Sequence, residues 1–362
     1  MKPPTKPVRK VGVRALRVSA ADVARAAGVS PATVSYVMNG RPGVSTEMRE
    51  RILRIAQELG HTASSRADRL RSQRTRVIGL VLTDIANPFY TEMAAGTIDA
   101  ARTQGYEVFL AHTQEDQGTL ASVVDTMIAR QVDGVVLTVL HPDDGEVIRS
   151  LRSARIPFVQ LSRRIPHLEA DFVGIDDIAA ASEVMGHVLD HGHTDITVIA
   201  GPRNSSASAA RARGFSRTAE SRGVDLTGIH RINTYLTEDG GHRAVTRILA
   251  DGPPPQALVC GSDAIAAGAI GALHSRGIRV PDDVAVTGFD GLFPETSLMA
   301  ELTTVSQPRR EMAELALELL IHRIDGSGKA YQTNIRPHAL RIGTTCGCPG
   351  RRVSAPSSHR RS

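Results

Sequence analysis

From Val77 onward the chain alternates short β-branched runs with stretches of helical periodicity, an order that few folds accept. VIGLVL is followed by a helical pattern over 89–104, YEVFLA by another over 117–130, and then comes DGVVLTV. Strands separated by helices in this way pair in parallel, so a sheet with helices on both faces is expected. The cycle restarts with ITVIAG at 196–201 and continues through a helix at about 207–222, ALVCGSD at 257–263 and VAVTGFD at 284–290. Those strands suffice for a second sheet. Parallel α/β sheets bind ligands at the carboxyl ends of their strands, so two facing lobes would close on a small molecule between them.

The 362 residues exceed what one hydrophobic core organises, leaving room for a further small domain. Apolar content of 41% is a globular value, and no segment approaches the roughly 18 uninterrupted apolar residues that spanning a bilayer requires. Membrane insertion is therefore not expected. Lys10, Arg14 and Arg17 interrupt any signal-peptide core, so a cytoplasmic location is expected. Three cysteines are too few for a disulfide framework. The net charge of +5 conceals an asymmetry: residues 1–76 hold 16 Lys/Arg against 5 Asp/Glu, a net of +11, and the rest nets −6. A basic block that also carries helical patterns reads as a polyanion-binding module.

Within that block, Ser19 has N-cap chemistry, and Val23, Ala24 and Ala27 follow at helical spacing until Gly28. Ser30 caps a second helix with Pro31 at its first position, running to Asn39-Gly40. Ser45 starts a third, in which Met48, Ile52, Ile55 and Leu59 form an apolar stripe ended by Gly60. A three-helix bundle around Val23, Val29, Val34 and Val37 is expected. Ser19, Ser30, Thr33, Ser35, Asn39 and Ser45 place hydroxyl or amide groups near helix N-termini or on one face, suited to phosphate oxygens.

The segment DVARAAGVSPATVSYVMNGRPGVSTEMRERILRIAQELG resembles the DNA-binding head of the LacI/GalR repressor family nearly position by position. The landmarks IGLVLTDIANPFY, GHTDITVIAGP, SSASAARARGF, CGSDAIAAGAI, VPDDVAVTGFDG and LTTVSQP are similar to that family's sensor segments, so the resemblance covers about 19–345. It implies an all-α helix-turn-helix head plus an α/β two-lobed, periplasmic-binding-protein-like sensor domain built on two doubly wound parallel sheets. By the same comparison Pro31, Ala32 and Tyr36 face the bases; the first two offer only apolar contacts, for instance to a thymine methyl. Ser64 to Arg71 resembles the hinge helix that orders in the minor groove, with Leu70 as the wedge between base steps and Ala67 one turn before it. The family's usual Asn early in that helix is Ser64 here.

The implied organisation is a basic arm at 1–18, the head at 19–60, the hinge at 61–76, the effector-binding and dimerisation domain at 77–345, and a basic tail at 346–362. The resemblance implies three crossings between lobes, near Asp176, Gln307 and Pro337. Lobe one is then 77–176 with 307–337, and lobe two 177–306 with 338–345. Arg211 and Asp290 match the positions that hydrogen-bond the effector, a pairing whose donors and acceptors suit adjacent hydroxyls. Asp84, Asn87, Phe89, Tyr90, Arg163, Ser205, Tyr235 and Asp263 are further liners, the aromatic ones as stacking surfaces.

Other constellations carry less. His187, His191 and His193 have metal-compatible spacing but coincide with the family's ordinary helix-to-strand corner, and Cys346 and Cys348 form a CxC with no partner pair in sequence. No metal and no cofactor are expected. GSGK at 326–329 fails as a phosphate loop, because the first glycine position is Arg323 and the hydroxyl position is Ala330. Neither a nucleophile elbow nor HExxH occurs, so catalysis has no support. The reading is a cytoplasmic repressor that binds a pseudo-palindromic operator as a homodimer under control of a sugar-like effector, with a nucleoside as the alternative. The tail has no leucine heptads, which favours a dimer over a tetramer. The rival, an exported sugar-binding protein of the same two-lobed fold, leaves residues 19–76 without a purpose.

Overall fold

A computed structural model describes residues 19–38, 43–59, 74–224, 229–292, 301–326 and 328–348. The chain divides into two compact units, Met1–Arg74 and Thr75–Ser362. In the first, helix α1 (Ala20–Ala27) begins at a capping box: the Asp22 amide donates to Ser19 Oγ at 3.3 Å, and the Ser19 amide donates to the Asp22 carboxylate at 2.9 Å. Gly28, at φ +68, ends it in the left-handed conformation that glycine adopts without a Cβ clash. Helix α2 (Pro31–Met38) and helix α3 (Thr46–Glu58) follow. Val23, Ala24, Ala27, Val34, Val37, Ile52 and Ala56 form the core of this unit. The stripe expected on α3 needs one correction: Leu59 lies past the last helical residue and is 39% exposed, while Ala56 takes the inward place one turn after Ile52.

The second unit opens with β1 (Val77–Leu82), α4 (Pro88–Thr103), β2 (Glu107–His112), α5 (Gln117–Ala129), β3 (Gly134–Leu137), α6 (Gly145–Ser153), β4 (Phe158–Leu161) and β5 (Asp171–Ile175). These strands, joined by β11 (Thr333–Arg336), pair in the order β11-β5-β4-β3-β1-β2, every pairing parallel. β3, β4 and β5 are buried along their whole length, as strands covered on both faces must be, whereas the edge strands β2 and β11 alternate in exposure. Helix α11 (Arg309–Ile324) lays Met312, Ala313, Ala316, Leu317 and Leu320 into this lobe's core. Arg323 near its end grips the buried Asp171 carboxylate with two hydrogen bonds, at 2.6 and 2.9 Å.

Between β5 and α11 the chain builds α7 (Asp177–Asp190), β6 (Ile196–Ala200), α8 (Ser206–Ser221), β7 (Ile229–Asn233), α9 (Glu238–Asp251), β8 (Ala257–Cys260), α10 (Asp263–His274) and β9 (Ala285–Thr287). Their strands form a second parallel sheet, β7-β6-β8-β9. β10 (Thr304–Ser306) and β12 (Ala339–Arg341) pair antiparallel beside it. Three segments thus pass between the lobes: Asp176, whose carboxylate caps α7; Gln307, between β10 and α11; and Pro337, between β11 and β12.

Close helix packing in the second lobe depends on glycine. A Cβ on Gly268 of α10 would sit inside the van der Waals radius of the Glu238 carbonyl oxygen, and one on Gly241 of α9 would meet that of Ile265. Backbone cannot retreat as a flexible side chain can. Gly268→Ala is expected to lower stability by roughly 1–3 kcal/mol as the helices are forced apart. A thermal melt superimposable on the parent protein's would show that the pair separates without cost.

Candidate functional site

The second lobe presents Arg211 on α8. Its guanidinium is 5% exposed, donates Nε to Asp177 Oδ1 at 2.8 Å and a terminal nitrogen to the Gly261 carbonyl (2.7 Å) and Asp290 Oδ1 (3.2 Å), and lies over the Phe289 ring at 3.8 Å. Asp290, just beyond β9, holds φ at +127, a conformation that costs an L residue of order 1–3 kcal/mol and that surrounding contacts must enforce. Gln307 supplies one, donating Nε2 to Asp290 Oδ1 at 2.7 Å, and Arg309 another, donating to the Asp290 carbonyl. Burial pushes the Asp290 carboxyl up to about 7 against the pull of Arg211, and burial likewise raises that of Asp177.

The first lobe answers with Arg163, 2% exposed just after β4. It makes a two-pronged ion pair with Glu115, at 2.8 and 2.7 Å, and donates to the Tyr90 hydroxyl at 3.1 Å. His141 completes the cluster: Nε2–H donates to Glu115 at 3.0 Å and Nδ1 accepts from Asn204 of the second lobe at 3.2 Å. Burial opposes ionisation of Glu115, yet hydrogen bonds from Arg163 and His141 bring it down to about 2. Burial also raises the Tyr90 phenol, which stays protonated at neutral pH.

Asn87, Phe89, Tyr90, Arg163, Ser205, Arg211 and Asp290 line one cleft between the two sheets, together with Ser162, Ala207, Ser208 and Leu236. The cleft is nearly closed, with room of about 10 Å³, roughly one water. Hydrogen bonds cross its mouth: Asn87 Nδ2 donates to the Leu236 carbonyl at 3.2 Å, and the Arg164 amide donates to Ser206 Oγ at 2.9 Å.

Three expected liners sit elsewhere. Asp84 accepts the Ala86 amide at 2.9 Å in a local turn ahead of α4. Tyr235 is 59% exposed at the end of β7. Asp263 is fully buried with both oxygens used, by Thr304 Oγ1 at 2.5 Å and the Leu292 amide at 2.7 Å, so it braces β10 against α10. Sequence reasoning missed Glu115, His141 and Asp177. Glu115 is 48 residues from Arg163, in a loop without periodicity, and nothing local marks it. Asp177 had a faint signal, being next to the Asp176 crossing.

In the first unit, Val34 and Val37 point into the core while Pro31, Ala32 and Tyr36 are exposed, so α2 offers outward the three side chains read as base-facing. Ser19, Ser30 and Ser45 each accept an amide of the following turn, from Asp22, Thr33 and Met48 respectively. Thr33 shares its hydroxyl with Ser30 at 2.9 Å, and Ser35 is part-buried on the same helix. Asn39, Ala67 and Leu70 lie outside the described residues.

One expectation is overturned. Cys346 and Cys348 do not stand alone in a tail: Cys346 is 1% exposed, and the fold brings both thiols to His187 and His191, far away in sequence.

Comparison with known proteins identifies the family. A profile described as "Bacterial regulatory proteins, lacI family" matches residues 20–64, and one described as "Periplasmic binding proteins and sugar binding domain of LacI family" matches 75–342. The chain belongs to the LacI family. Its helix-turn-helix head and two-lobed α/β sensor are therefore those of a DNA-binding transcriptional regulator, as the sequence led one to expect. It is 32% identical to the HTH-type transcriptional regulator DegA of Bacillus subtilis (strain 168), over 88% of this chain and 95% of that one. It is 30% identical to the ribose operon repressor of Escherichia coli (strain K12), over 84% and 92%. Among solved structures it resembles the transcriptional regulator CelR in a cellobiose complex, at TM-score 0.67 and 29% identity, covering 91% of this chain and all of that one. Among the described residues of this LacI-family chain, no helix is long and apolar enough to cross a membrane.

Proposed function

We propose that this LacI-family protein is a cytoplasmic repressor that binds a pseudo-palindromic operator as a homodimer and changes its grip when a sugar-like polyol enters the cleft. The observation that carries the reading is the buried Arg211–Asp290 pair, with Asp177 behind it, opposite Asn87 and Tyr90 across a closable cleft. Guanidinium donors beside carboxylate acceptors match vicinal hydroxyls, and the edge-on pair Phe89–Tyr90, with centroids 5.1 Å apart, offers an apolar face to a sugar ring. The CelR relative is described with cellobiose, and another relative represses a ribose operon, which supports a carbohydrate here.

The same residues couple ligand to lobe movement. Arg211 holds Asp177, the first residue of α7 beyond the Asp176 crossing, and Asp290 is held by Gln307, which forms the second. A hydroxyl that recruits Arg211 and Asp290 therefore acts on two connections between the lobes. If the effector prefers one degree of closure, the two hinges at the sensor's entrance rearrange, and operator affinity changes by the reciprocal factor. The protein acts by binding at both ends and not by catalysis.

The reading is tested by titrating full-length protein into operator duplex at two salt concentrations, with and without candidate sugars and nucleosides. Affinity that falls steeply with salt and shifts with one compound is expected. Salt-insensitive association, or no compound that shifts it, would contradict the assignment. For the hinge, Leu70→Ala should weaken operator binding about 10-fold or more through loss of the minor-groove wedge, while effector affinity stays unchanged. Equal gel-shift midpoints for mutant and parent would remove the wedge from the account.

A further inference from the structure

Among the described residues, 343–348 beyond β12 stay against the sensor domain. The Val286 amide donates to the Thr345 carbonyl at 2.8 Å, and the Thr303 amide to Thr345 Oγ1 at 3.0 Å, so residues 343–348 turn back against the second lobe. The turn delivers Cys346 and Cys348 to the last turn of α7, where His187 and His191, four residues apart, share a face. Cys346 is buried, His187 and Cys348 are half-buried, and His191 stands at the exposed rim.

Their donor atoms converge. His187 Nε2 lies 3.2 Å from Cys346 Sγ and 3.7 Å from Cys348 Sγ, and His191 Nε2 lies 3.3 Å from Cys348 Sγ. All four lie within 4.8 Å of one another. A tetrahedral zinc ion, with Zn–S near 2.3 Å and Zn–N near 2.0–2.1 Å, sets its sulfur-to-nitrogen edges at about 3.6 Å. The three observed separations bracket that edge, so an ion at the centre needs only small side-chain adjustments.

We infer that His187, His191, Cys346 and Cys348 form a closed structural zinc site, taking one Zn²⁺ per chain and fastening the end of the sensor domain to α7. Two thiolates and two neutral imidazoles are the soft, tetrahedral donor set that selects zinc over magnesium or calcium. Binding displaces both thiol protons to solvent, and the two thiolate charges neutralise the ion. Four protein donors leave no open position for a substrate water, which makes the site structural. The surroundings already support a thiolate: Thr303 donates its hydroxyl to Cys346 Sγ at 3.0 Å while accepting the Gly343 amide at 2.9 Å, the outer-shell arrangement that orients a ligand. A Cys346–Cys348 disulfide would leave the two convergent imidazoles without a role. His193 stacks on His191 with centroids 6.1 Å apart but adds no donor to the four, and the third cysteine, Cys260, is buried in β8.

The clip has a mechanical consequence. It ties the segment that follows the third crossing to α7, whose first residue, Asp177, holds Arg211. Because the ion binds the folded chain and not the unfolded one, it adds to stability by linkage.

The test uses full-length protein, reduced, stripped with a chelator and titrated with Co²⁺ as a spectroscopic stand-in, then with Zn²⁺. Expected are a thiolate-to-cobalt charge-transfer band and intense tetrahedral d–d bands that saturate at one equivalent and are bleached by one equivalent of Zn²⁺, with a higher melting temperature in zinc. Cys346→Ser can fail by unfolding, so the deciding variants are Cys348→Ser and His191→Gln at the accessible side. Each should melt like the metal-free parent yet bind zinc at least about 100-fold more weakly, a larger loss than the ~10–100-fold of an outer-shell change. His193→Gln and Cys260→Ala should keep the bands. Absence of charge transfer with all thiols reduced, full affinity in Cys348→Ser, loss of the bands in His193→Gln, or a Cys346–Cys348 disulfide that forms in air regardless of zinc would each overturn the proposal.

Discussion

Replacing Arg211 by methionine should destabilise the sensor domain by about 3–5 kcal/mol and abolish the effector response, while leaving effector-free operator binding intact at temperatures where the domain stays folded. The guanidinium is the nearest counter-charge of two buried carboxylates, Asp177 and Asp290, and a methionine removes the charge while keeping most of the volume. The pH dependence separates this loss from simple mispacking. Asp290 titrates near 7 in the folded chain, well above the ordinary 3.8. The folded state thus binds a proton that the unfolded state has released, and this group makes stability fall as pH rises from about 4 to about 7. Without Arg211 the carboxyls rise further and the fall steepens. Melting at pH 5 and pH 8 reads the difference, and Asp290→Asn added to Arg211→Met should recover part of it. An Arg211→Met variant whose stability falls with pH no more steeply than the parent's, or which still answers the effector at the parent's concentrations, would show that the ion triad does not organise the cleft.

Glu115→Gln should cost about 2–4 kcal/mol at neutral pH, because Arg163 is left buried without its two-pronged partner. Glu115 has its folded pKa depressed from 4.5 to about 2, so its contribution is complete above about pH 4.5 and is lost as pH falls toward 2. By linkage that interval amounts to about 3 kcal/mol. The parent's acid limb should therefore be steeper than the mutant's over this window. Urea unfolding at pH 7, 4 and 3 checks both magnitude and sign, and a constant difference between the two proteins across those pH values would refute the pairing. The same mutant should bind effector more weakly, since Arg163 positions the Tyr90 hydroxyl at the cleft.

These two clusters differ in how visible they are from sequence. Arg211 and Asp290 occupy helix and strand-end positions that the family resemblance reaches from sequence. Glu115 and His141 sit in loops after β2 and β3, and their partnership with Arg163 arises only when parallel strands bring those loops to one edge. Asp263 shows the opposite error: its residue type and strand-end location suit a ligand, but in the fold Thr304 and Leu292 consume both of its oxygens.

By itself, the sequence determined what depends on neighbours along the chain. The capping box at Ser19, the left-handed Gly28, the inward Val34 and Val37, and the alternation that forces parallel sheets all follow from the few residues around each position. Tertiary structure alone decided which polar side chains meet. Ionic and metal-type clusters here join residues separated by 48, 79 and 157 positions, and their distances follow from sheet order and helix packing, not from any local periodicity. Hydrophobic periodicity is a property of one element against solvent; convergence of charge is a property of several elements against each other, and only the folded chain specifies it.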